Sequence, residues 1–295
     1  MSLAVSQNPL ANEEVVLEAG RESKNYWRDL WRYRELFQFL SLRDISVRYK
    51  MAVLGVAWAV IQPLTTMIIF TFVFGRLAGM GKDSTIPYPL VVFAATLPWQ
   101  FFASSITACS NSLVINQNLL RKIYFPRLIV PVSAMIVSLI DFATSFVLFL
   151  IMMAYYMATH QFTPNWHMLL VPVFLLLGFG VSLGAGLWFA TLNVEYRDFR
   201  YIVPFLVQIG MYVSPVGWSS SKIYSSEKIS DLWKFLYSLN PIVGVIDGFR
   251  WCLLGGENNP LNATSIITSV VFVLVLCSTG VIYFRAMERR FADVV

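Results

Sequence analysis

Six separated apolar runs dominate this 295-residue chain and leave few folds open to it. They lie near Leu54 to Gly75, Pro89 to Asn111, Leu128 to Ala158, Met168 to Leu192, Ile202 to Trp218 and Thr264 to Phe284. A helix needs ~20 such residues to cross ~30 Å of hydrocarbon, and all but the fifth run meet that length. Composition agrees, since 57% of the residues are hydrophobic, 13% are charged and mean hydropathy is +0.63. Soluble domains carry about 25% charged residues. The fifth run stops at Ser214-Pro215, and Ser219 to Pro260 then mixes charges with the apolar pieces Leu232 to Leu239 and Ile242 to Leu254. That stretch reads as a folded external cap or re-entrant hairpin, not a seventh span. The expected fold class is an all-α membrane protein with six transmembrane helices.

Lys and Arg set the orientation, because they accumulate in cytoplasmic loops. Sixteen of the 22 fall in the N-terminal segment, the second and fourth loops and the tail, against six on the other side, so both termini are expected in the cytoplasm. The net charge of +5 therefore reports topology, and no nucleic-acid partner is implied. The first 25 residues are polar and acidic, with no apolar stretch of the kind a cleaved signal peptide requires. Trp27, Leu30, Trp31, Tyr33, Leu36, Phe37 and Leu40 then recur at helical spacing among Arg28, Arg32, Glu35 and Gln38. This predicts an amphipathic helix over 27–50 in the cytoplasmic interface. The organisation expected is a flexible segment over 1–26, that helix, a single transmembrane domain over 51–285 containing the external stretch 219–260, and a tail over 286–295.

Chemistry of the catalytic kind is hard to find. Gly75 to Ser84 (GRLAGMGKDS) fails as a phosphate loop on spacing and has no Ser or Thr after Lys82. Any energy source must therefore sit on another chain. Cys109, Cys252 and Cys277 are widely spaced thiols, and His160 and His167 flank a short external loop as solvated or interfacial residues, so no metal site is expected. Asp141, mid-way along the third run, is an intramembrane carboxylate and so a functional candidate. No basic residue lies at matching depth in another span, and the expectation is a protonated Asp141 bonded to hydroxyls such as Thr144 or Ser138.

Polar stripes mark several spans: Trp58, Gln62, Thr65 and Thr66 in the first, Ser104, Thr107 and Asn111 in the second, Gln208 and Tyr212 in the fifth. Spacings of three and four put each set on one helix face. Such a face either lines a hydrated path for a hydroxyl-rich substrate or acts as glue between helices. Gly180, Ser182, Gly184 and Gly186 form small-xxx-small pairs, which allow close packing within the chain or against another copy. Two loops on the basic side, Asn116 to Arg127 and Asn193 to Arg200, are short enough to transmit a push from a docked partner.

Five segments in order resemble the permease subunit of the ABC-2 type exporters, in the polysaccharide branch that handles O-antigen, capsule and teichoic acid. They are RDISVRYKMAVLGVAWAVIQPL (Arg43 to Leu64), NLLRKIYFPRLIVP (Asn118 to Pro131), EYRDFRYIVP (Glu195 to Pro204), QIGMYVSPV (Gln208 to Val216) and NPIVGVIDGFR (Asn240 to Arg250). The resemblance implies a homodimer joined to two copies of a cytoplasmic ABC ATPase, with re-entrant gate helices between the fifth and sixth spans. ATP and Mg would bind that partner, and no cofactor is expected on this chain. The cargo implied is lipid-linked polysaccharide carried across the bacterial inner membrane. The stripe residues become candidates for the path, and Asn116, Asn118, Arg121, Lys122, Phe125, Pro126, Arg127, Glu195, Arg197 and Asp198 become candidates for ATPase coupling. The alternatives are the same architecture carrying teichoic acid, capsule or a drug, a membrane-embedded glycosyl- or acyltransferase, and an ion channel. The enzyme lacks a set of catalytic carboxylates or His here, and the channel lacks a filter segment.

Overall fold

The computed structural model describes residues 26–50, 55–81, 86–160, 162–163, 165–227, 229–255, 261–288 and 291. The expectations for residues 1–25, for Lys82 to Ser84, and for Lys228, Arg289 and Arg290 lie outside the described residues. Twelve α-helices run through the described residues, among which there is no strand, and the protein is an all-α membrane protein. They are α1 (Tyr26–Arg32), α2 (Arg34–Lys50), α3 (Gly55–Phe70), α4 (Tyr88–Ile115), α5 (Gln117–Lys122), α6 (Ile129–Ala158), α7 (Val171–Glu195), α8 (Phe199–Val213), α9 (Ser221–Tyr224), α10 (Asp231–Ser238), α11 (Pro241–Leu254) and α12 (Ala263–Met287). A π-helical segment, Thr71–Leu77, extends α3, and a 3-10 turn, Trp166–Leu170, leads into α7.

Five of these stretches are long and apolar enough to cross a membrane: 57–77, 88–115, 129–158, 166–195 and 263–287. The fifth apolar run of the sequence gives α8, whose 15 residues cover only about 22 Å. It ends at Val213 rather than Trp218, because Ser214 precedes Pro215 and takes the extended conformation (ψ 154°) that such a position favours. After it the chain folds into α9, α10 and α11.

The central element is α4, with more than half of its side chains buried and α3, α6, α7, α8 and α11 packed around it. Phe93, Phe101, Phe142, Phe149 and Phe249 interlock there edge-to-face, with ring centroids 5.7 to 5.9 Å apart. That arrangement suits the ring quadrupoles. A second cluster, near the Arg- and Lys-rich end, joins Tyr26 and Leu40 to Leu113, Leu120, Phe125, Leu128, Leu187 and Phe284. The α1–α2 segment is therefore apolar on two sides: Leu30, Tyr33, Leu36 and Phe37 also pack on this cluster, while Trp27, Trp31, Phe39 and Leu42 are exposed.

The small residues of α7 settle where they pack. A Cβ on Gly184 would come within 2.7 Å of the Cys277 backbone nitrogen, and one on Gly280 within 2.7 Å of the Gly184 carbonyl oxygen. Gly180 and Gly184 thus seat α12 against α7 within the chain, with Trp188 and Tyr283 stacked beside them at 4.3 Å, while Gly186 faces Cys109 of α4. At Gly180 the nearest atom is a side-chain carbon of Val273 and not backbone. Gly184→Val should therefore destabilise the purified protein by about 1–3 kcal/mol, the range for overpacking. Gly180→Ala should cost less, and thermal unfolding in detergent reads both.

Candidate translocation path and docking loops

The first-span stripe lies on the outer face of α3, where Trp58, Gln62 and Thr65 are exposed and Thr66 is half-buried. The Thr65 and Thr66 hydroxyls donate to the carbonyls of Ile61 and Gln62 (2.8 and 2.9 Å), so the backbone absorbs them. Gln62 has no such outlet, and its carboxamide has no hydrogen bond among the described residues. On α8, Gln208 is in the same position and Tyr212 is 58% exposed. This helix meets the bundle through a narrow strip, Val203, Val207, Gly210 and Met211, and a Cβ on Gly210 would lie 2.9 Å from Trp99. Behind it is an apolar cavity of about 230 Å³ bordered by Phe102, Val181, Phe189 and Leu276.

The α4 stripe is half-buried. Ser104 and Thr107 donate to the carbonyls of Phe101 and Ala103, and Asn111 donates to that of Thr107 (3.0 Å) and accepts from Asn193 of α7 (3.1 Å). Both α3 and α8 flank α4, and they approach each other at one end, where Phe74 packs on Trp218 and Tyr88 donates to the Gly217 carbonyl (2.6 Å). The three stripes thus belong to neighbouring helices.

The side-chain partners of Asp141 differ from the Thr144 and Ser138 hydroxyls expected of it. Its carboxylate accepts from the Tyr49 hydroxyl and pairs with Arg48 at 2.6 Å, while Thr144 and Ser145 bond to its backbone carbonyl. The missed basic partner comes from α2, not from another span. At 1.5 Å per residue α6 is about 45 Å long, about 15 Å more than the hydrocarbon core. Asp141 sits about 18 Å from its first residue, nearer the basic end of this long helix than the other, within reach of α2. Replacing Arg48 by Met and Asp141 by Asn, singly and together, should give a coupling of about 0.5–3 kcal/mol in thermal unfolding. A coupling of zero would show the pair to be incidental.

The coupling candidates divide into two groups. Asn118, Arg121 and Lys122 on α5 are exposed, as are Glu195, Arg197 and Asp198 in the turn between α7 and α8. Ile123 and Tyr124, 53% and 63% exposed beside Lys122, join the first group; their place in a charged loop hid them in the sequence. Phe125 and Pro126 are buried. Asn116 is buried too and accepts from Arg43 of α2 (2.7 Å) while donating to the Ser112 carbonyl (2.9 Å).

Arg127 turns inward. Its backbone N–H donates to the Glu288 carboxylate (2.9 Å), its guanidinium bonds to the Glu288 carbonyl, and Arg285 lies 4.6 Å over the Tyr26 ring. Burial pushes the Glu288 carboxyl above its ordinary value, with Arg127 opposing in part. A raised folded-state pKa gives stability that is complete below the ordinary carboxyl value and is lost as pH rises through the folded one. Wild-type stability relative to Glu288→Gln should therefore be greatest below about pH 4 and fall as pH rises above it. Scanning fluorimetry across that rise in pH measures it, and parallel curves would contradict it.

Two further features escaped the sequence. Arg250 is fully buried in α11 and donates to the carbonyls of Trp218 (2.6 Å), Val216 (3.0 Å) and Val91 (3.4 Å), tying the chain after α8 to α4 and α11. A lone Arg inside an apolar helix was the available signal. His167, expected to be solvated or interfacial, is half-buried and packed between Trp166 (4.5 Å) and Trp251 (4.0 Å).

These features define a helical membrane protein with open polar faces on its spans and short charged turns at one end. The chain belongs to the ABC-2 type transporter family, whose profile matches residues 35–254. It is 26% identical over 266 residues to the O-antigen export system permease protein RfbA of Myxococcus xanthus, covering 90% of this chain and 97% of that one. A Klebsiella pneumoniae protein of the same description is 26% identical over 262 residues, covering 88% and 95%. The polysialic acid transport protein KpsM of Escherichia coli is 24% identical over 260 residues, covering 85% and 92%.

Proposed function

We propose that the chain is the channel-forming permease of an ATP-driven exporter that moves lipid-linked polysaccharide of the O-antigen kind outward across a bacterial inner membrane. Two copies would pair with each other and with two copies of an ABC ATPase that binds ATP and Mg. The observation that carries this is the pair of open carboxamides, Gln62 and Gln208, exposed among apolar neighbours on α3 and α8. Hydrocarbon cannot satisfy an amide, so these faces call for water or a second protein. Pairing two copies across α3 and α8 would enclose a hydrated path edged by Trp58, Tyr212 and the α4 stripe. Many weak aromatic and amide contacts let a long polymer slide where one tight site would arrest it. Within this arrangement α8 serves as the fifth of six spans, its short length completed by the re-entrant pair α10 and α11, and both termini face the cytoplasm. The names of the relatives, O-antigen export and polysialic acid transport, support a polysaccharide cargo. KpsM keeps a capsule polymer as the second reading.

The exposed loops supply the test. In a complex purified through a tag on this chain, Arg121→Glu with Lys122→Glu should markedly reduce ATPase recovery while leaving the permease folded. Full recovery with normal stimulation would remove α5 from the docking surface. Trp58→Ala and Tyr212→Ala should slow ATP-dependent polysaccharide export with assembly intact, and export at the wild-type rate would exclude both residues from the path.

A further inference from the structure

Where α4 ends and α8 begins, Asn111, Val114, Ile115, Gln117 and Arg200 border a cleft of about 490 Å³. Arg200 is exposed and its guanidinium makes no hydrogen bond or ion pair among the described residues, including with Glu195 and Asp198 in the adjoining turn. Gln117 is exposed with its carboxamide likewise unengaged. Asn111, by contrast, is fixed between Thr107 and Asn193. Val114 and Ile115 add an apolar wall at the end of the span, and Ile115 is 73% exposed.

The cleft thus offers three kinds of contact side by side. A guanidinium fork fits the paired oxygens of a phosphate, a carboxamide both donates to and accepts from sugar hydroxyls, and the apolar wall suits hydrocarbon. A lipid-linked glycan presents hydrocarbon, phosphate and sugar in that order. Its phosphate is confined to the boundary of the bilayer, since hydrocarbon will not solvate the charge. The cleft lies at that depth, beside the last residue of a membrane-crossing helix. Asn111 also closes the polar stripe that continues through Thr107 and Ser104 along α4, so a sugar held here is aligned with the path.

Resting on the exporter assignment above, we propose that this cleft is the loading subsite for the phosphate-bearing end of the glycan, with Arg200 binding the phosphate and Asn111 and Gln117 binding the first sugar. The permease–ATPase complex can be tested for binding of two synthetic glycolipids that share lipid and sugar, one with a phosphate linkage and one without charge. Arg200→Gln should weaken binding of the phosphate-bearing compound by about tenfold or more, as for a lost charge-assisted contact, and leave the neutral one unchanged. Arg200→Lys should retain part of the affinity, and Gln117→Ala should weaken both compounds. Recovery of the ATPase and its basal hydrolysis should match wild type in the Arg200 variants. Failure of the wild-type complex to bind the phosphate-bearing compound, an Arg200→Gln affinity equal to wild type, an equal loss for both compounds, or loss of the ATPase, which would make Arg200 a docking residue, each overturns the proposal. Arg200-dependent binding without ATP-driven export would instead leave the subsite standing and refute the exporter assignment.

Discussion

Hydrocarbon satisfies neither a carbonyl nor an amide, and most of this structure follows from that constraint. Backbone groups close into helices, and hydroxyls inside the spans bond back to carbonyls a turn away, as Thr107 does to Ala103 and Ser182 to Gly178. Where the chain leaves regular helix after α8, Arg250 supplies bonds to the backbone carbonyls of Val216 and Trp218, which would otherwise be stranded. Gln62 and Gln208 stand outside this pattern, because among the described residues neither carboxamide has a hydrogen bond.

At the opposite scale, the basic end of the molecule is built from ties between segments far apart in sequence. Arg43 reaches Asn116, Arg48 and Tyr49 reach Asp141, and Arg127 joins Glu288. Through them the α1–α2 segment, the α4–α5 junction and the end of α12 form one braced platform. The exposed residues of α5 and of the turn before α8 project from it. These ties connect the exposed residues to the spans without a loose loop between, which is what the proposed coupling role requires.

Much of the fold was legible because a membrane helix announces itself by length and apolar composition alone. The long runs became helices near their expected limits, and Ser214-Pro215 marked the end of α8 by a local steric rule. The partner of Asp141 was not legible, because it depends on where α2 lies against α6, which is not a property of one segment. For the same reason Asn116, Phe125, Pro126 and Arg127 read as loop residues yet prove to be internal. The external stretch was recognised as folded, but its division into α9, α10 and α11 rests on burial against α4 and α12 that no local pattern encodes.

Water at the open faces is the central claim, and cysteine accessibility measures it directly. In a cysteine-free variant of the exporting complex, Gln62→Cys and Gln208→Cys should react with a membrane-impermeant thiol reagent. Leu274→Cys, on the exposed apolar face of α12, should stay unreactive. Unreactive cysteines at both glutamine positions, or reaction at Leu274→Cys equal to theirs, would contradict a hydrated path along α3 and α8.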